Sequence, residues 1–269
     1  MGKIIMKKFL LGTIGLVAMG LAPAMAADLP ARAPVYTKAP AMVAPIYDWT
    51  GFYIGVNGGG GWSHKCWDVT NILGVTLPTA LSDGCHNATG GVAGGQIGYR
   101  WQSASWVFGL EAAGDWANLK GSNSSPLLAG TIFNVTDQSK INALGFFTGQ
   151  VGYAWNAALL YVKGGAAVTG TNYNIQTTLG NLNVASASAT RWGGTIGVGF
   201  EYGFAPNWSA GLEYDHLFMG NRSVDFTSTG ALAFAPVGTL FRTDTIHQNV
   251  DMITARINYR FGGPVVAKY

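Results

Sequence analysis

The stretch at residues 106–116, Trp-Val-Phe-Gly-Leu-Glu-Ala-Ala-Gly-Asp-Trp, alternates between two kinds of side chain. One set is apolar with a tryptophan at each end, whereas the other is small and carries Glu111 and Asp115. A period of two residues is typical of a β-strand whose two faces meet different surroundings. About eleven tilted residues suffice to span the hydrocarbon layer of a bilayer. The stretch therefore predicts a membrane-spanning strand with its tryptophan face toward lipid.

Seven further segments show the same alternation, at 50–62, 90–101, 141–155, 158–171, 191–202, 208–218 and 250–261. The connections after the second, fourth and sixth strands are tight, whereas the other four run to about twenty residues or more. Bacterial outer-membrane barrels show this asymmetry between short periplasmic turns and long outer loops. We therefore predict an all-β fold: an eight-stranded antiparallel transmembrane β-barrel with four long outer loops and both termini in the periplasm.

The low charge of the chain supports a membrane protein. Only 11% of its residues are charged, against roughly 25% in an ordinary globular domain. After residue 26 no run of eighteen apolar residues occurs, which excludes a helical membrane protein. A soluble barrel such as a lipocalin would hide its apolar face inside. Here the apolar face carries aromatic rings toward both strand ends, as two membrane interfaces require, which favours the membrane barrel.

The first 26 residues are predicted to be a signal peptide. Lys3, Lys7 and Lys8 precede an apolar core at 9–21, and Ala-Met-Ala at 24–26 fits a cleavage site. An uncleaved anchor helix is the alternative. Removing these three lysines leaves 13 basic against 13 acidic residues, so the mature chain is formally neutral and a nucleic-acid partner is not expected.

The remaining boundaries follow from composition. Residues 27–47 contain four prolines without periodicity, which predicts an extended periplasmic segment outside the barrel that can contact the cell wall. The barrel is assigned to 48–261 and a tail to 262–269. Barrel assembly usually reads a terminal aromatic residue, and either Phe261 or Tyr269 fits that role.

Two cysteines, Cys66 and Cys85, lie in the first predicted outer loop. An exported chain folds in an oxidising compartment, so we expect a disulfide between them. The nearby His64 and His86 leave a metal site as a sharper but less favoured alternative.

Charged and amide side chains recur on the inward face, and we predict that they form a structural polar network in the lumen. Its members are Gln96, Arg100, Glu111, Asp115, Gln150, Lys163, Glu201, Glu213, Arg256 and Arg260. Glu213 and Arg256 are the best-supported pair, because the seventh and eighth strands are adjacent. Arg100, Glu201 and Arg260 are expected to form a second layer nearer the periplasm.

Catalytic motifs are weak in this chain. His216 and His247 lie at or near the predicted outer rim, close to Asp215 and Asp244, but no serine has a recognisable nucleophile context. The glycine runs are not followed by a helical period, as a phosphate-binding loop would require. We therefore expect no catalytic residues, no bound metal and no cofactor.

Three stretches resemble the small alphaproteobacterial outer-membrane barrels, the RopB-type, porin-like family of rhizobia and brucellae. They are Asp-Trp-Thr-Gly-Phe-Tyr-Ile-Gly-Val-Asn-Gly-Gly-Gly-Gly-Trp at 48–62, Phe-Gly-Leu-Glu-Ala-Ala-Gly-Asp-Trp at 108–116 and Ile-Asn-Tyr-Arg-Phe at 257–261. The resemblance implies a surface-exposed, eight-stranded outer-membrane protein with a structural, host-facing role. It brings no catalytic residues to this chain.

The sequence thus leads to a structural outer-membrane barrel with a filled or very narrow polar lumen. A small porin for passive diffusion is the second hypothesis, and a lipid-modifying enzyme at the rim is the third. The expected partners are outer-membrane lipids, lipopolysaccharide and the barrel-assembly machinery, and the expected state is a monomer.

Overall fold

A computed structural model describes residues 47–131 and 134–262. It contains eight antiparallel strands in one closed barrel, which confirms the predicted fold class. The strands are β1 (Gly51–Ile72), β2 (Val75–Ser103), β3 (Trp106–Ser124), β4 (Val135–Trp155), β5 (Ala158–Thr177), β6 (Asn183–Ala205), β7 (Trp208–Ser228) and β8 (Leu240–Phe261). A 3₁₀ turn, Pro126–Leu128, lies between β3 and β4. In these ranges no helix is long and apolar enough to cross a membrane.

The sheet closes through β1 and β8. Their register runs from Phe52 opposite Phe261 to Ile72 opposite Arg242. Each strand therefore has two hydrogen-bonded neighbours, and no strand edge is left open. Closure of this kind lets a sheet enter hydrocarbon, where unpaired backbone groups are costly.

The two ends of the barrel differ. At one end, here the turn end, the two-residue connections 104–105, 156–157 and 206–207 join the strands in pairs. β1 begins and β8 finishes at this same end. The opposite end, here the far end, carries the connections that were predicted to be long.

Two belts of outward-facing aromatic residues encircle the strands. The turn-end belt comprises Tyr99, Trp101, Trp106, Tyr153, Trp155, Tyr202, Trp208, Tyr259 and Phe261, and the far belt comprises Trp62, Trp116, Trp192 and Tyr214. Trp116 is 79% exposed although it lies in the middle of a paired strand. Aromatic rings in two belts are typical of a barrel that crosses a membrane, with one belt at each interface.

The predicted long loops are mostly strand. Every strand reaches the predicted turn-end boundary within a few residues, but all eight continue past the far belt. The far connections shorten to 73–74, 125–134, 178–182 and 229–239. The predicted strand bounds were therefore wrong at the far end, although the strand count and order were right.

The reason is a reversal of the apolar face. Between the belts the apolar side chains face outward, as Phe52 and Ile54 do. Beyond the far belt the apolar side chains of the same strands face inward, as Trp67 and Val69 do on β1. A pattern that assigns apolar residues to the outside therefore ends at the belt, although the strand continues.

Two clusters of inward apolar residues lie at and beyond the far belt. One lies near the far belt and includes Leu119, Ile141, Leu217, Val250 and Met252. The second lies farther out and includes Trp67, Tyr173, Ile175, Phe226 and Ile246. These clusters give the far half of the barrel a packed core, and they differ from the polar lumen that the sequence predicts.

Cys66 and Cys85 are joined by a disulfide and are direct cross-strand partners on β1 and β2. They lie in paired strand rather than in an irregular loop, which corrects their predicted location. His64 Nε2 lies 3.4 Å from Cys66 Sγ. The ring of His86 is on the inner face, where its Nε2 lies 2.8 Å from Ser139 Oγ. The two histidines of the alternative metal site therefore do not converge.

Replacing both cysteines (Cys66→Ser with Cys85→Ser) should leave the barrel folded, because β1 and β2 are paired on both sides of the bridge. Closing a loop of this size contributes about 3 kcal/mol in the chain-entropy model. The double variant should keep its fast-migrating, unheated form in SDS. Hydrogen exchange should accelerate mainly at residues 67–84. Loss of the fast-migrating form would show that the bridge holds the barrel itself.

Candidate functional site

The ten polar residues predicted for the lumen all point into the barrel and are buried. Each of these residues is at most 7% exposed. They occupy the part of the interior between the turn end and the first apolar cluster. The structure joins eight of them in one chain of contacts and leaves Asp115 and Arg260 outside it.

Two carboxylates and two cations form the centre of this network. Arg256 contacts Glu213 at 2.5 Å and Glu111 at 2.9 Å. Lys163 lies 2.6 Å from Glu213 and 3.5 Å from Glu111. The four side chains come from β3, β5, β7 and β8, so the charges bridge the interior from one wall to the other. Asp215 is a further neighbour of Lys163, at 3.3 Å.

A second ion pair lies nearer the turn end. Arg100 contacts Glu201 at 2.8 Å. Asn258 donates to Glu201 at 2.8 Å and accepts from Gln96 at 2.8 Å. Gln150 accepts from Arg100 at 3.3 Å and donates to the Tyr53 hydroxyl at 3.0 Å. Tyr53 in turn donates to Glu111, which connects the pair to the central cluster. Gln96 and Gln150 therefore serve the second pair more than the central carboxylates.

Arg260, predicted to join this second layer, instead donates to backbone carbonyls. Its partners are Thr50 and Pro206, each at 3.1 Å. Its guanidinium also lies 5.7 Å from the ring centroid of Tyr47. The backbone groups at the turn end compete for this side chain, so it stays apart from Glu201.

Tyr47 and Trp49 occupy the turn end of the interior. Their ring centroids are 4.6 Å apart, and Trp49 is 2% exposed. Tyr47 was predicted to belong to a segment outside the barrel, but the structure places its ring over Gly203 of β6. The rest of the predicted segment, 27–46, lies outside the described residues, as do the predicted signal peptide and all of the predicted tail after Gly262.

Two tyrosines that the sequence reading missed complete the central network. Tyr53 donates to Glu111 at 2.7 Å, and Tyr161 donates to Glu213 at 2.5 Å. Each ring lies over a glycine directly across the sheet, Gly98 for Tyr53 and Gly199 for Tyr161, where a Cβ would meet the ring. The alternation predicts that both tyrosines face inward, but it does not predict the partners of their hydroxyl groups.

A separate charged cluster, also missed, lies in the far half of the interior. Arg242 contacts Asp83 at 2.7 Å, Asp137 at 2.8 Å and Asp244 at 2.7 Å. Burial raises the pKa of Asp244 to about 7, against the lowering influence of Arg242. Burial likewise raises the pKa of Asp137 well above its usual range. Continued alternation along β8 would have placed Arg242 and Asp244 inward. Asp83 and Asp137 face inward only because the pairing of β2 and β4 shifts by one residue, which the alternation does not predict.

The two rim histidines face outward, away from their sequence neighbours. His216 Nδ1 lies 2.6 Å from Asp251, and Tyr214 donates to the same carboxylate at 2.7 Å. His247 Nε2 lies 3.4 Å from Asp68. Asp215 and Asp244, beside these histidines in sequence, are buried in the interior instead.

A closed sheet with two aromatic belts outside and ion pairs inside defines a membrane-spanning β-barrel protein. The family described as "Outer membrane protein beta-barrel domain" matches residues 14–261, and the chain belongs to this family. The match covers all eight strands.

The relatives agree with the predicted resemblance to alphaproteobacterial outer-membrane proteins, which is thereby confirmed. The chain is 30% identical over 228 residues to the 31 kDa outer-membrane immunogenic protein of Brucella melitensis, covering 81% of this chain and 90% of that protein. It is 28% identical over 190 residues to a 22 kDa outer membrane protein of Rhizobium leguminosarum bv. viciae, covering 70% and 72%. The solved outer membrane protein OprG of Pseudomonas aeruginosa aligns over 80% of this chain and 99% of its own, with 13% identity and a TM-score of 0.45.

Removing Arg256 should destabilise the barrel strongly. Arg256→Ala leaves Glu111 and Glu213 with Lys163 alone, and an uncompensated buried charge costs roughly 3–5 kcal/mol. Arg256→Ala combined with Glu213→Ala should cost less than their sum, because Lys163 then balances Glu111. Arg260→Ala is the matched control, since it strands no carboxylate. Urea unfolding of the refolded variants measures the order, and equal losses for Arg256→Ala and Arg260→Ala would contradict it.

The far cluster should make stability depend on pH. Because the pKa of Asp244 is raised to about 7 in the folded barrel, this group favours folding at low pH. Its contribution should fall as pH rises from about 4 to 7, by at most about 1.4 kcal/mol per pH unit. Asp244→Asn should flatten the pH dependence of the unfolding midpoint, whereas Asp225→Asn, an exposed carboxylate, should not. An unchanged slope in Asp244→Asn would contradict this assignment.

Proposed function

We propose that the protein is a structural barrel of the outer membrane whose interior does not conduct solutes and whose far end makes the surface contacts. In this proposal the turn end faces the periplasm, and a cleaved signal peptide at 1–26 exports the chain. The membrane location rests on the family and its relatives.

The carrying observation is the central ion-pair network. Four charged side chains from β3, β5, β7 and β8 meet in the middle of the interior at 2.5–3.5 Å. An eight-stranded barrel has an interior that side chains just fill. Tyr47 and Trp49 support closure at the turn end, and the two apolar clusters support it toward the far end. Four successive layers of side chains then oppose the passage of ions.

The surroundings of His216 argue against a hydrolase with a serine or threonine nucleophile at the rim. The His216–Asp251 pair could orient a general base. Within the described ranges, however, no serine or threonine side chain hydrogen-bonds to that imidazole. Tyr214 is the hydroxyl nearest in the network, and its proton is donated to Asp251. The proposal therefore keeps this group as a solvated polar contact near the far belt.

Planar-bilayer recordings test the proposal. The refolded wild-type barrel should show no conductance steps, or steps far smaller than those of a general porin inserted in the same membrane. A liposome-swelling assay with a small sugar should give the same answer for uncharged solutes. Steps of general-porin size would replace the structural proposal with the small-porin alternative.

A further inference from the structure

The exposed cations of the barrel are few and unevenly placed. The described ranges contain ten lysine and arginine residues, and seven of these are buried: Lys65, Arg100, Lys163, Arg191, Arg242, Arg256 and Arg260. The three exposed ones are Lys120, Lys140 and Arg222. Lys120 on β3 and Lys140 on β4 are direct cross-strand partners. Two of the three exposed cations therefore stand side by side.

This juxtaposition is unfavourable for the isolated chain. Like charges directly opposite each other destabilise a sheet. No carboxylate on the outer face of the described part relieves the pair. Asp68, Asp225 and Asp251 face outward from β1, β7 and β8. The acidic residues of β2 to β6 are all buried in the interior: Asp83, Glu111, Asp115, Asp137 and Glu201.

A shallow cleft of about 390 Å³ lies between the two lysines. Ser122, Gln138 and Asn174 share its lining with the two lysines. Ammonium, amide and hydroxyl groups all donate hydrogen bonds, and charge-assisted donation to phosphate oxygens is among the stronger polar contacts. The cleft thus offers donors and positive charge, with no carboxylate in its lining.

The cleft lies just beyond the far belt. Trp116 pairs with Ala143 across β3 and β4, and Lys120 is four residues farther along β3. Four residues of a tilted strand rise about 10 Å. That height places the ammonium groups in the headgroup layer above the hydrocarbon. The surface below them is the lipid-facing side of β3 and β4, including Trp116 and Phe147.

We propose that this cleft binds a phosphate of lipid A, the phosphorylated and acylated sugar anchor of lipopolysaccharide, in the outer leaflet. The two lysines hold the phosphate, and the acyl chains lie along the apolar face beneath. The placement in the outer leaflet rests on the proposed orientation of the barrel. The phosphate removes the repulsion between Lys120 and Lys140, so binding stabilises this part of the sheet.

The test compares lipid binding by the folded full barrel in detergent, with lipid A and with the same lipid A after enzymatic removal of its phosphates. Lipid A should slow thermal loss of the folded form, and native mass spectrometry should detect the bound lipid. Dephosphorylated lipid A should do neither. Lys120→Gln with Lys140→Gln should weaken lipid A binding by about tenfold or more. Arg222→Gln removes an exposed cation from β7 and should leave binding unchanged.

Equal binding by the double-lysine variant and the wild type would overturn the site. So would protection by millimolar inorganic phosphate alone, because the occupant would then be the free ion. Binding of a sulfated polysaccharide without binding of lipid A would overturn it as well. Lipid A binding measured in detergent does not depend on conductance. A conducting wild type would therefore defeat the proposed function and leave the lipid A site standing.

Discussion

Closure of the sheet is the constraint on which the rest of the structure depends. A barrel in hydrocarbon must pair every backbone donor and acceptor within itself, and the β1–β8 ladder completes that pairing. With eight strands the enclosed space is narrow, so each inward side chain meets side chains from across the barrel. Arg256 shows the result, because its two carboxylate partners come from a neighbouring strand and from β3.

The barrel is one sheet in two solvents. Between the belts the outer face is apolar and the interior holds the ion pairs. Beyond the far belt the outer face is polar and the interior holds aromatic and aliphatic residues around Trp67. β8 keeps its parity through this change, with Arg256 and Ile246 on the same inner face. On β2, β4 and β7 an irregularity in the strand pairing shifts the inward positions by one residue. The change from lipid to water reverses the side that is apolar while the backbone continues.

This reversal explains what could be predicted from the sequence. Strand number, order, turn-end boundaries and the inward set could be predicted, because alternation against lipid is regular. The far halves of the strands could not be predicted, since the strand pattern required apolar residues on the outer face. The contacts between side chains across the interior could not be predicted either. Glu213 and Arg256 are on adjacent strands, but the Glu111–Arg256 contact depends on barrel shear, which alternation does not encode. Arg260 was wrongly assigned to the second polar layer, because a pattern of side chains does not predict its backbone carbonyl partners at the turn end.

In the proposed orientation the far end lies at the cell surface, and the continuation of the strands past the far belt changes what an antibody or a bacteriophage would meet there. Most of that region is paired strand, so neighbouring surface residues such as His64, Asn87 and Asn249 come from different strands. An epitope there is discontinuous and as rigid as the sheet that presents it. Such an epitope disappears when the protein is boiled, and short peptides copied from the sequence do not reproduce it.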